Sequence, residues 1–331
     1  MPNIMPTWQP PPSEIFFSRK DPQDVRLGDL TQAVNLARPD LVAESTVIIG
    51  YPDDEGIALN GGRPGARQAP EHIRRMLYRM TPPMNFAQSQ LHLRDGGDLI
   101  PTSELPARHN TALQTNLTLY RKNNRILSLG GGHDYAYADV AAFLTHFAAS
   151  DPKPLVINFD AHLDVRPTER GFNSGTPFYR LLEEFCEFTF IEIGIQENCN
   201  SQQHRQWLLD KGGVIIDYPT LALAGVAQSE TIIRGLAPWI ERPRPTFLSL
   251  DIDCFATAFA PGCSQSWPLG LMPSEVYTVI DVLLRRTYVA GLGIYEVSPA
   301  LDLAGMTSKL AAQFAYQFIF GASLSKVDCQ L

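Results

Sequence analysis

The sequence predicts an α/β fold, a three-layer α/β/α arrangement in which a central, mostly parallel β-sheet lies between two layers of helices. Apolar, β-prone runs alternate along the chain with longer segments of helical periodicity. Such alternation is typical of parallel sheets covered by helices on both faces. Polar residues directly follow several of the apolar runs, and ligands bind outside the carboxyl ends of strands in open α/β sheets.

Short apolar runs bounded by polar or turn residues are the predicted strands. They begin at Ser45, Arg125, Pro154, Phe188, Gly213, Thr246 and Tyr288. Longer segments between them repeat apolar residues at helical spacing and are the predicted helices. These begin at Pro70, Tyr137, Thr176, Ser201, Pro273 and Met306.

One catalytic domain is predicted for residues 45–331, preceded by an irregular arm over residues 1–44. The arm is proline-rich at its start and has no clear period, so we expect it to pack on the body or on a neighbouring subunit. Length alone suggests about two domains, but α/β domains often run longer than the mean. Neither an internal repeat nor a linker-like change in composition divides the rest of the sequence.

The composition is that of an ordinary enzyme, with 331 residues, 44% of them hydrophobic, 19% charged, and a net charge of −8. Because acidic residues are in excess and Lys/Arg-rich tracts are absent, we exclude nucleic acid and anionic membranes as partners. No apolar run reaches the roughly 20 residues that a membrane-spanning helix needs, and the start does not resemble a signal peptide. We expect a cytoplasmic protein.

The cysteines favour neither a disulfide framework nor a zinc knuckle, since they are odd in number and lack CxxC spacing. They are Cys186, Cys199, Cys254, Cys263 and Cys329. Cys254 directly follows an aspartate, but neighbouring side chains of an extended chain point to opposite faces. We therefore expect Cys254 to point away from any site at that position.

Three segments end in residues that could bind metal: LSLGGGHDYA, INFDAHLDVR and LSLDIDCFA. Alternate side chains of an extended chain share a face, so the aspartates and the histidine of the second segment point one way. The same spacing holds for the two aspartates of the third. The candidate ligands are His133, Asp160, His162, Asp164, Asp251 and Asp253.

Four clustered carboxylates would repel one another and raise one another's pKa values, a penalty that a pair of cations removes. Imidazole and carboxylate ligands without thiolate suit Mn, Fe, Co, Ni or Zn. Two such ions about 3.5 to 4 Å apart share carboxylates and activate a bridging water, which favours a hydrolase. A single DxD pair is more often a loop cap, and GGGH alone is a tight turn; the coincidence of all three segments favours the metal site.

The GGxH, DAHxD and SxDxD segments resemble those of the ureohydrolases, which include arginases, agmatinases and formimidoylglutamases. GGRPGARQAPEHIR from Gly61 and YEVSPALD from Tyr295 are also similar to family segments, so the resemblance covers roughly residues 45–325. It implies an arginase-like fold, two Mn²⁺ ions and a homo-oligomer, either trimer or hexamer. One ion would be bound by His133, Asp160, Asp164 and Asp251, and the other by Asp160, His162, Asp251 and Asp253.

The segment after DAHLD distinguishes branches of the family. Arginases carry SGNxHG there, with a histidine to which proton transfer is ascribed, whereas this chain has NSGTPFY with Phe178 at that place. SGTPF, GGGH and Arg166 together look more like formimidoylglutamases, which split N-formimidoyl-L-glutamate into L-glutamate and formamide. The resemblance implies that a metal-bridging hydroxide attacks the amidine carbon, that Asp164 accepts the water's proton, and that Glu296 holds the cationic amidine.

A substrate with two carboxylates requires hydrogen-bond donors, and guanidinium groups match carboxylate geometry. Arg166 and Arg63 are the candidates, with Ser174 and Thr176 as hydroxyl donors. The alternative for either arginine is a structural salt bridge or a hydrogen bond to loop carbonyls. The remaining histidines are predicted to be surface or packing residues: His72, His92, His109, His146 and His204.

One departure from the family pattern concerns substrate choice. Where the pattern continues DPxxAPG after DIDCF, this chain has ATAFAPG, with Ala256 and Thr257 in place of Asp-Pro. This puts hydrolysis of guanidino compounds in doubt and leaves the metal ligands intact. Two alternatives stay open: a hydrolase of agmatine, guanidinobutyrate or arginine that releases urea, and an inactive metal-binding member. The presence of all six ligands argues against the second.

Overall fold

The computed structural model describes residues 7–87, 91–322 and 324. Its strands are β1 (Trp8–Gln9), β2 (Gln32–Ala33), β3 (Thr46–Gly50), β4 (Leu93–Leu99), β5 (Arg125–Leu129), β6 (Leu155–Phe159), β7 (Thr189–Ile195), β8 (Val214–Asp217), β9 (Pro245–Asp251) and β10 (Tyr288–Tyr295). Its helices are α1 (Leu27–Leu30), α2 (Glu55–Leu59), α3 (Ala69–Leu77), α4 (Leu105–Arg121), α5 (Ala136–His146), α6 (Pro177–Glu184), α7 (Gln202–Asp210), α8 (Tyr218–Leu223), α9 (Gln228–Ile240), α10 (Pro273–Arg286) and α11 (Met306–Phe320).

All ten strands belong to one sheet, in the order β1-β4-β3-β5-β10-β9-β6-β7-β8, with β2 also paired to β4. Among the described strands, only β1 runs antiparallel to its neighbour. The predicted parallel α/β fold is therefore confirmed. Every predicted strand and helix is present and begins within one residue of its predicted start.

The two faces of the sheet bury separate apolar clusters, which defines three layers. On β3, Ile48 points into one cluster, whereas Val47 and Ile49 point into the other. The first cluster is completed by residues of α3, α9, α10 and α11, and the second by residues of α4, α5, α6 and α7. Strands covered on both faces need apolar residues at successive positions, which is why β3, β5, β6 and β9 were readable as apolar runs.

Three long elements were not among those predicted, namely α9, β4 and α4, and the last two contain buried charges. In β4, the sequence LRDGGDL contains buried Asp95, whose carboxylate pairs with the buried guanidinium of Arg74 at 2.9 Å and accepts a hydrogen bond from Tyr78. In α4, Arg108 and His109 are buried and bonded to acidic side chains. Both elements bury charges whose partners lie far away in the sequence, so their local patterns read as polar.

Residues 7–44 pack on the body of the protein. Trp8 is buried, and its indole Nε1 donates a hydrogen bond of 3.1 Å to the hydroxyl of Thr115. Strands β1 and β2 both pair with β4. The division into an arm of residues 1–44 and a single domain of residues 45–331 stays a prediction.

The described cysteines are free thiols, and Cys329 lies outside the described residues. Cys254 is buried in the first apolar cluster and belongs to neither group of candidate metal ligands, in agreement with the prediction. Burial also raises the pKa of its thiol well above the usual range. Within residues 7–87, 91–322 and 324, no helix is both long and apolar enough to cross a membrane.

Candidate metal centre

Four neighbouring strands of the sheet, β5, β10, β9 and β6, end at the same edge, and each contributes to the site. His133 follows β5, Asp160 follows β6, Asp251 ends β9, and Glu296 follows β10. The parallel register aligns these ends, with Tyr295 opposite Asp251 and Phe159 opposite Leu250. Ligands that are distant in the sequence therefore lie together because the carboxyl ends of parallel strands share one edge.

The glycines before His133 bring the backbone close to a neighbouring loop. A Cβ atom on Gly131 would lie 1.7 Å from the carbonyl oxygen of Asp53, so only glycine fits there. Two of the candidate catalytic residues adopt positive φ angles, 46° at Asp164 and 64° at Glu296. Strained backbone of this kind, held in place by its surroundings, is concentrated at functional sites.

The predicted ligands form one buried cluster. The Nδ1 atom of His133 lies 3.1, 2.9 and 3.1 Å from the Oδ2 atoms of Asp160, Asp164 and Asp251. The Nδ1 atom of His162 lies 3.4 Å from Asp160 Oδ1 and 3.2 Å from Asp253 Oδ2. Ligand atoms within each of two groups lie within 4.8 Å of one another: His133, Asp160, Asp164 and Asp251 in one, and Asp160, His162 and Asp253 in the other.

Asp160 belongs to both groups, as a bridging ligand would. Asp251 belongs only to the first group, and its Oδ1 accepts a hydrogen bond of 2.8 Å from the backbone N–H of Asp253. Its expected contact with the second ion stays a prediction. Two buried atoms in the cluster lack a well-aligned hydrogen bond: Asp253 Oδ1, and His133 Nδ1, which faces three carboxylate oxygens at once. Since buried polar atoms are rarely left unsatisfied, and these donors suit borderline divalent cations, the residues fit a metal pair.

The electrostatics of the cluster also favour cations. Burial and the charges of Asp253 and Asp160 raise the pKa of Asp251 well above its usual range. Burial and the charge of Asp160 raise the pKa of Asp164 to about 6. Burial opposes protonation of His133, but three surrounding carboxylates outweigh it and raise the pKa of that imidazole. The raised pKa values favour bound protons in the metal-free cluster, and divalent ions would offset the same negative charge.

The other side of His133 is fixed by its neighbours. Its Nε2 lies 2.8 Å from the hydroxyl of Ser249 on β9, and the ring of Tyr295 stacks on the imidazole with centroids 5.0 Å apart. The serine of SxDxD thus orients this ring and leaves Nδ1 for the ligand cluster, the usual task of a partner behind a metal-binding histidine. The sequence contained this serine, but its role was not predicted.

A cavity of about 380 Å³ opens onto the cluster. Its lining includes four of the candidate ligands together with Glu296, here called the inner end: His162, Asp164, Asp251, Asp253 and Glu296. Other lining residues, here called the outer wall, include Asn60, Arg166, Ser174, Cys199, Asn200, Ser201, His204, Ser264, Gln265 and Trp267. The cavity therefore joins an acidic end to a wall that contains hydrogen-bond donors.

Of the four predicted substrate residues, Arg166 and Ser174 line this cavity. The backbone N–H of Arg166 donates to the carbonyl of Gly175 at 2.8 Å, and its side chain lies against that glycine. The hydroxyl of Ser174 accepts a hydrogen bond of 3.1 Å from the side-chain amide of Asn60. Two of the residues predicted to contact substrate therefore lie beside the cavity.

Arg63 and Thr176 do not line the cavity. The guanidinium of Arg63 donates to the carbonyl oxygen of Ser264 at 3.0 and 2.8 Å, which is the alternative considered for it. The hydroxyl of Thr176 donates to the carbonyl of Asn173 at 2.8 Å and is buried. Both side chains donate to loop carbonyl oxygens. In this structure neither one is positioned to contact a substrate in the cavity.

Phe178 is buried and packs edge-on against His133 at 5.4 Å, and it does not line the cavity. Three of the remaining histidines are packing or surface residues, as predicted: His109 is buried on Asp134, His146 packs against aromatic rings, and His92 is exposed. His204 differs, because it lines the cavity. The sequence predicted a helix that begins near Ser201, and His204 lies in its first turn. The sequence did not predict that this turn faces the cavity.

Comparison with known proteins agrees with this geometry. A family model described as the arginase family matches residues 44–321, and the chain belongs to this family. Formimidoylglutamases are among its relatives. That of Clostridium tetani is 31% identical over 286 residues, covering 82% of this chain and 81% of that protein. That of Streptococcus gordonii is 31% identical over 305 residues, covering 87% and 89%.

Solved structures of formimidoylglutamases are also similar to this chain. A crystal structure of Trypanosoma cruzi formiminoglutamase with Mn²⁺ superimposes with a TM-score of 0.75 at 29% identity, covering 90% of this chain and 98% of that one. Formimidoylglutamase from Bacillus subtilis gives a TM-score of 0.78 at 28% identity, covering 94% and 95%. The arginase-like fold expected from the motifs is confirmed.

Proposed function

We propose that this protein is a formimidoylglutamase, an enzyme that uses two divalent ions to hydrolyse N-formimidoyl-L-glutamate to L-glutamate and formamide. The observation that carries the proposal is that one cavity holds both the ligand cluster and the guanidinium of Arg166. The proposed substrate contains both a cationic amidine and anionic carboxylates. The acidic cluster suits the amidine, and the guanidinium suits a carboxylate. The similarity to formimidoylglutamases over most of the chain supports the same choice.

The proposed metal ligands are the residues predicted from the sequence. Asp160 would bridge, with His133, Asp164 and Asp251 on one side and His162 and Asp253 on the other. Mn²⁺ is the proposed metal, supported by its presence in the T. cruzi formiminoglutamase structure. When bound, such a pair of ions lowers the pKa of the water between them toward neutrality.

Asp164 is the proposed proton carrier. It faces the cavity, and burial together with the charge of Asp160 raises its pKa to about 6 in the metal-free protein. A carboxylate in the ligand cluster lies where the attacking water must be, so Asp164 is within reach of the water's proton. After the water has added to the amidine carbon, Asp164 returns the proton to the departing amine of glutamate.

Glu296 is the proposed residue for the cationic amidine. Its carboxylate faces the cavity and is held by the backbone N–H of His133 at 3.0 Å. A carboxylate and a planar amidinium form charge-assisted hydrogen bonds, which are about twice as strong as neutral ones. Held in this way, the amidine presents its central carbon to the water.

Arg166 is the proposed group for a substrate carboxylate, with the hydroxyl of Ser174 nearby. The planar guanidinium matches a carboxylate with two parallel hydrogen bonds. This contact distinguishes substrates that carry a carboxylate from agmatine, which has none.

A guanidino hydrolase is the second candidate, because the acidic end of the cavity would also accept a guanidinium. A metal-binding protein without turnover is the third, and the intact ligand cluster with Glu296 supports turnover instead. We further propose a cytoplasmic homo-oligomer, trimer or hexamer, that acts on a small molecule. Light scattering on protein that elutes from a size-exclusion column tests the oligomeric state.

The product assay separates these candidates. The Mn²⁺-loaded protein is offered N-formimidoyl-L-glutamate, arginine, agmatine and 4-guanidinobutyrate in separate reactions, and glutamate, formamide and urea are measured. Glutamate and formamide in equal amounts support the proposal. Urea from a guanidino substrate, without turnover of the formimidoyl compound, overturns it. Asp253→Asn protein, purified in parallel, serves as the control for contaminating hydrolases.

A further inference from the structure

Two basic side chains line the outer wall of the cavity from different elements. Arg166 lies in the loop after β6, and His204 lies in the first turn of α7. Arg166 is exposed and His204 is half-buried. The same wall also contains the neutral donors Asn200 and Ser201.

Neither basic group has an acceptor in the described part of the chain. The guanidinium of Arg166 makes no hydrogen bond or ion pair with a described residue. Only its backbone N–H does so, by donating to the carbonyl of Gly175. The backbone N–H of His204 donates to the Ser201 hydroxyl at 3.0 Å, and its imidazole makes no hydrogen bond with a described residue. Burial and the charge of Arg166 lower the pKa of His204, so the two groups are close enough to interact.

The charge of Arg166 disfavours a proton on His204, and a negative group bound between the two side chains would offset this effect. The carboxylates that line the cavity are Asp164, Asp251, Asp253 and Glu296, and among the described residues none of them forms an ion pair with Arg166 or His204. A negative group of a ligand would therefore be favoured at this wall.

Gly175 leaves the space that the Arg166 side chain occupies. A Cβ atom on Gly175 would come within 2.7 Å of the Cδ of Arg166 and 2.9 Å of its Nε, and within 3.0 Å of the Asn60 amide. Contacts this short force the side chain to move. The glycine of the SGTPF segment thus provides the surface on which Arg166 rests.

We propose that Arg166 and His204 together form the subsite for one substrate carboxylate, and that Gly175 is the positioning residue for Arg166. The inference rests on the proposed function, which supplies a substrate with two carboxylates. It assigns a specificity-determining contact to a histidine outside the metal motifs.

A bound carboxylate favours the protonated form of His204, so substrate binding near neutral pH takes up a proton, and KM rises with pH as that proton is lost. The other charged or titratable groups facing this cavity are Arg166, Cys199, His162, Asp164, Asp251, Asp253 and Glu296. The variant His204→Gln removes the titrating group and keeps a hydrogen-bond donor. A pH dependence of KM that is present in the wild type and absent from this variant identifies His204 as its origin.

The test compares wild type, His204→Gln and His204→Lys, all Mn²⁺-loaded, on three compounds. N-formimidoyl-L-glutamate carries both carboxylates, N-formimidoyl-4-aminobutyrate lacks the α-carboxylate, and N-formimidoyl-L-norvaline lacks the distal one. For His204→Gln we expect KM for the first compound to rise about tenfold, because a neutral amide replaces a charged donor to the carboxylate, with kcat little changed. This increase should disappear for the compound that lacks the contacted carboxylate. His204→Lys should recover KM and lose its pH dependence.

An equal KM in wild type and His204→Gln, or the same increase for all three compounds, overturns the subsite. His92→Gln is the matched control, since His92 is exposed and lies outside the cavity. If only guanidino compounds are hydrolysed, the proposed function fails, and the subsite is judged separately. It then stands if His204→Gln raises KM for 4-guanidinobutyrate, which has a carboxylate, and not for agmatine, and it falls if both rise equally or neither changes.

Discussion

The carboxylate of Glu296 accepts a hydrogen bond of 3.0 Å from the backbone N–H of His133. The backbone N–H of Glu296 in turn donates to the carbonyl of Gly131 at 2.9 Å. These two bonds join the loop after β10 to the loop after β5, which are neighbouring strands. The proposed amidine-binding residue and a proposed metal ligand therefore keep a fixed relation that the sheet itself imposes.

Replacement of Glu296 by glutamine should impair catalysis and leave the metals in place. Glutamine has nearly the same shape but lacks the charge that stabilises the cationic amidine, so we expect kcat to fall about 100-fold or more. Metal content by mass spectrometry should stay at the wild-type value, because Glu296 is outside both ligand groups. A kcat within a few-fold of wild type would show that Glu296 does not hold the reacting group.

The stability of the metal-free protein should decrease as pH rises from about 5 to about 8. Burial and Asp160 raise the pKa of Asp164 to about 6, so the folded state holds a proton that the unfolded state has already released. Carboxylates likewise outweigh burial and raise the pKa values of His133 and His162. Stability from these groups is present below their unfolded-state pKa values and is lost as pH rises through the folded-state values.

Chemical denaturation at several pH values, with the metal removed by chelation, measures this trend. Mn²⁺ should reverse it, because metal ligands bind in their deprotonated form and binding strengthens as pH rises. Asp160 has a lowered pKa and opposes the trend only in the acidic range, below that of the experiment. A metal-free protein whose stability is constant or increases over this range would contradict the account of the cluster.

Gly175→Ala should weaken substrate binding through Arg166. The new methyl group would lie 2.7 Å from the Cδ of Arg166, so the guanidinium must leave its position. We expect KM to rise about tenfold, because a two-bond contact between guanidinium and carboxylate needs fixed geometry. Gly235→Ala, where the methyl group meets only the flexible end of Ile216, is the control. Equal KM values for the two variants would argue against the positioning role.

Tyr295→Phe should destabilise the fold while leaving the ring on His133. The hydroxyl of Tyr295 donates to Asp139 at 2.5 Å, and Asp139 is fully buried, with a pKa that burial raises to about 6. Removing one donor from a buried carboxylate costs about 1–3 kcal/mol. Urea denaturation measures the change, with Tyr277→Phe, on the half-exposed face of α10, as the control. A loss below about 0.5 kcal/mol, the usual range for surface substitutions, would contradict this assignment.

The strands and the ligand cluster could be predicted because both depend on local patterns. Buried parallel strands are apolar throughout, and the ligands come where each run ends, so neighbouring residues carried the information. Strand β4 could not be predicted, because a buried aspartate such as Asp95 needs polar partners. These partners are Arg74, in α3, and Tyr78, the residue directly after α3. No local pattern shows such a partner.

The outer wall of the cavity was harder to predict for the same reason. Arg166 was identified because it lies two residues after a ligand. Arg63 appeared equivalent from its residue type, yet its guanidinium binds the carbonyl of Ser264, about 200 residues away. His204 belongs to the wall only because α7 begins beside the carboxyl end of β7. These assignments depend on how separate loops meet, which a single sequence does not contain.

The most direct measurement is a titration of the metal-free protein with Mn²⁺, in which bound metal and hydrolysis of N-formimidoyl-L-glutamate are followed together. The two-ion site predicts that two ions bind per chain and that full activity requires the second. Asp253→Asn, which lacks a ligand of one group only, should keep one ion and lose most activity. Full activity of the metal-free protein, or of Asp253→Asn with one bound ion, would contradict the proposed two-metal hydrolysis.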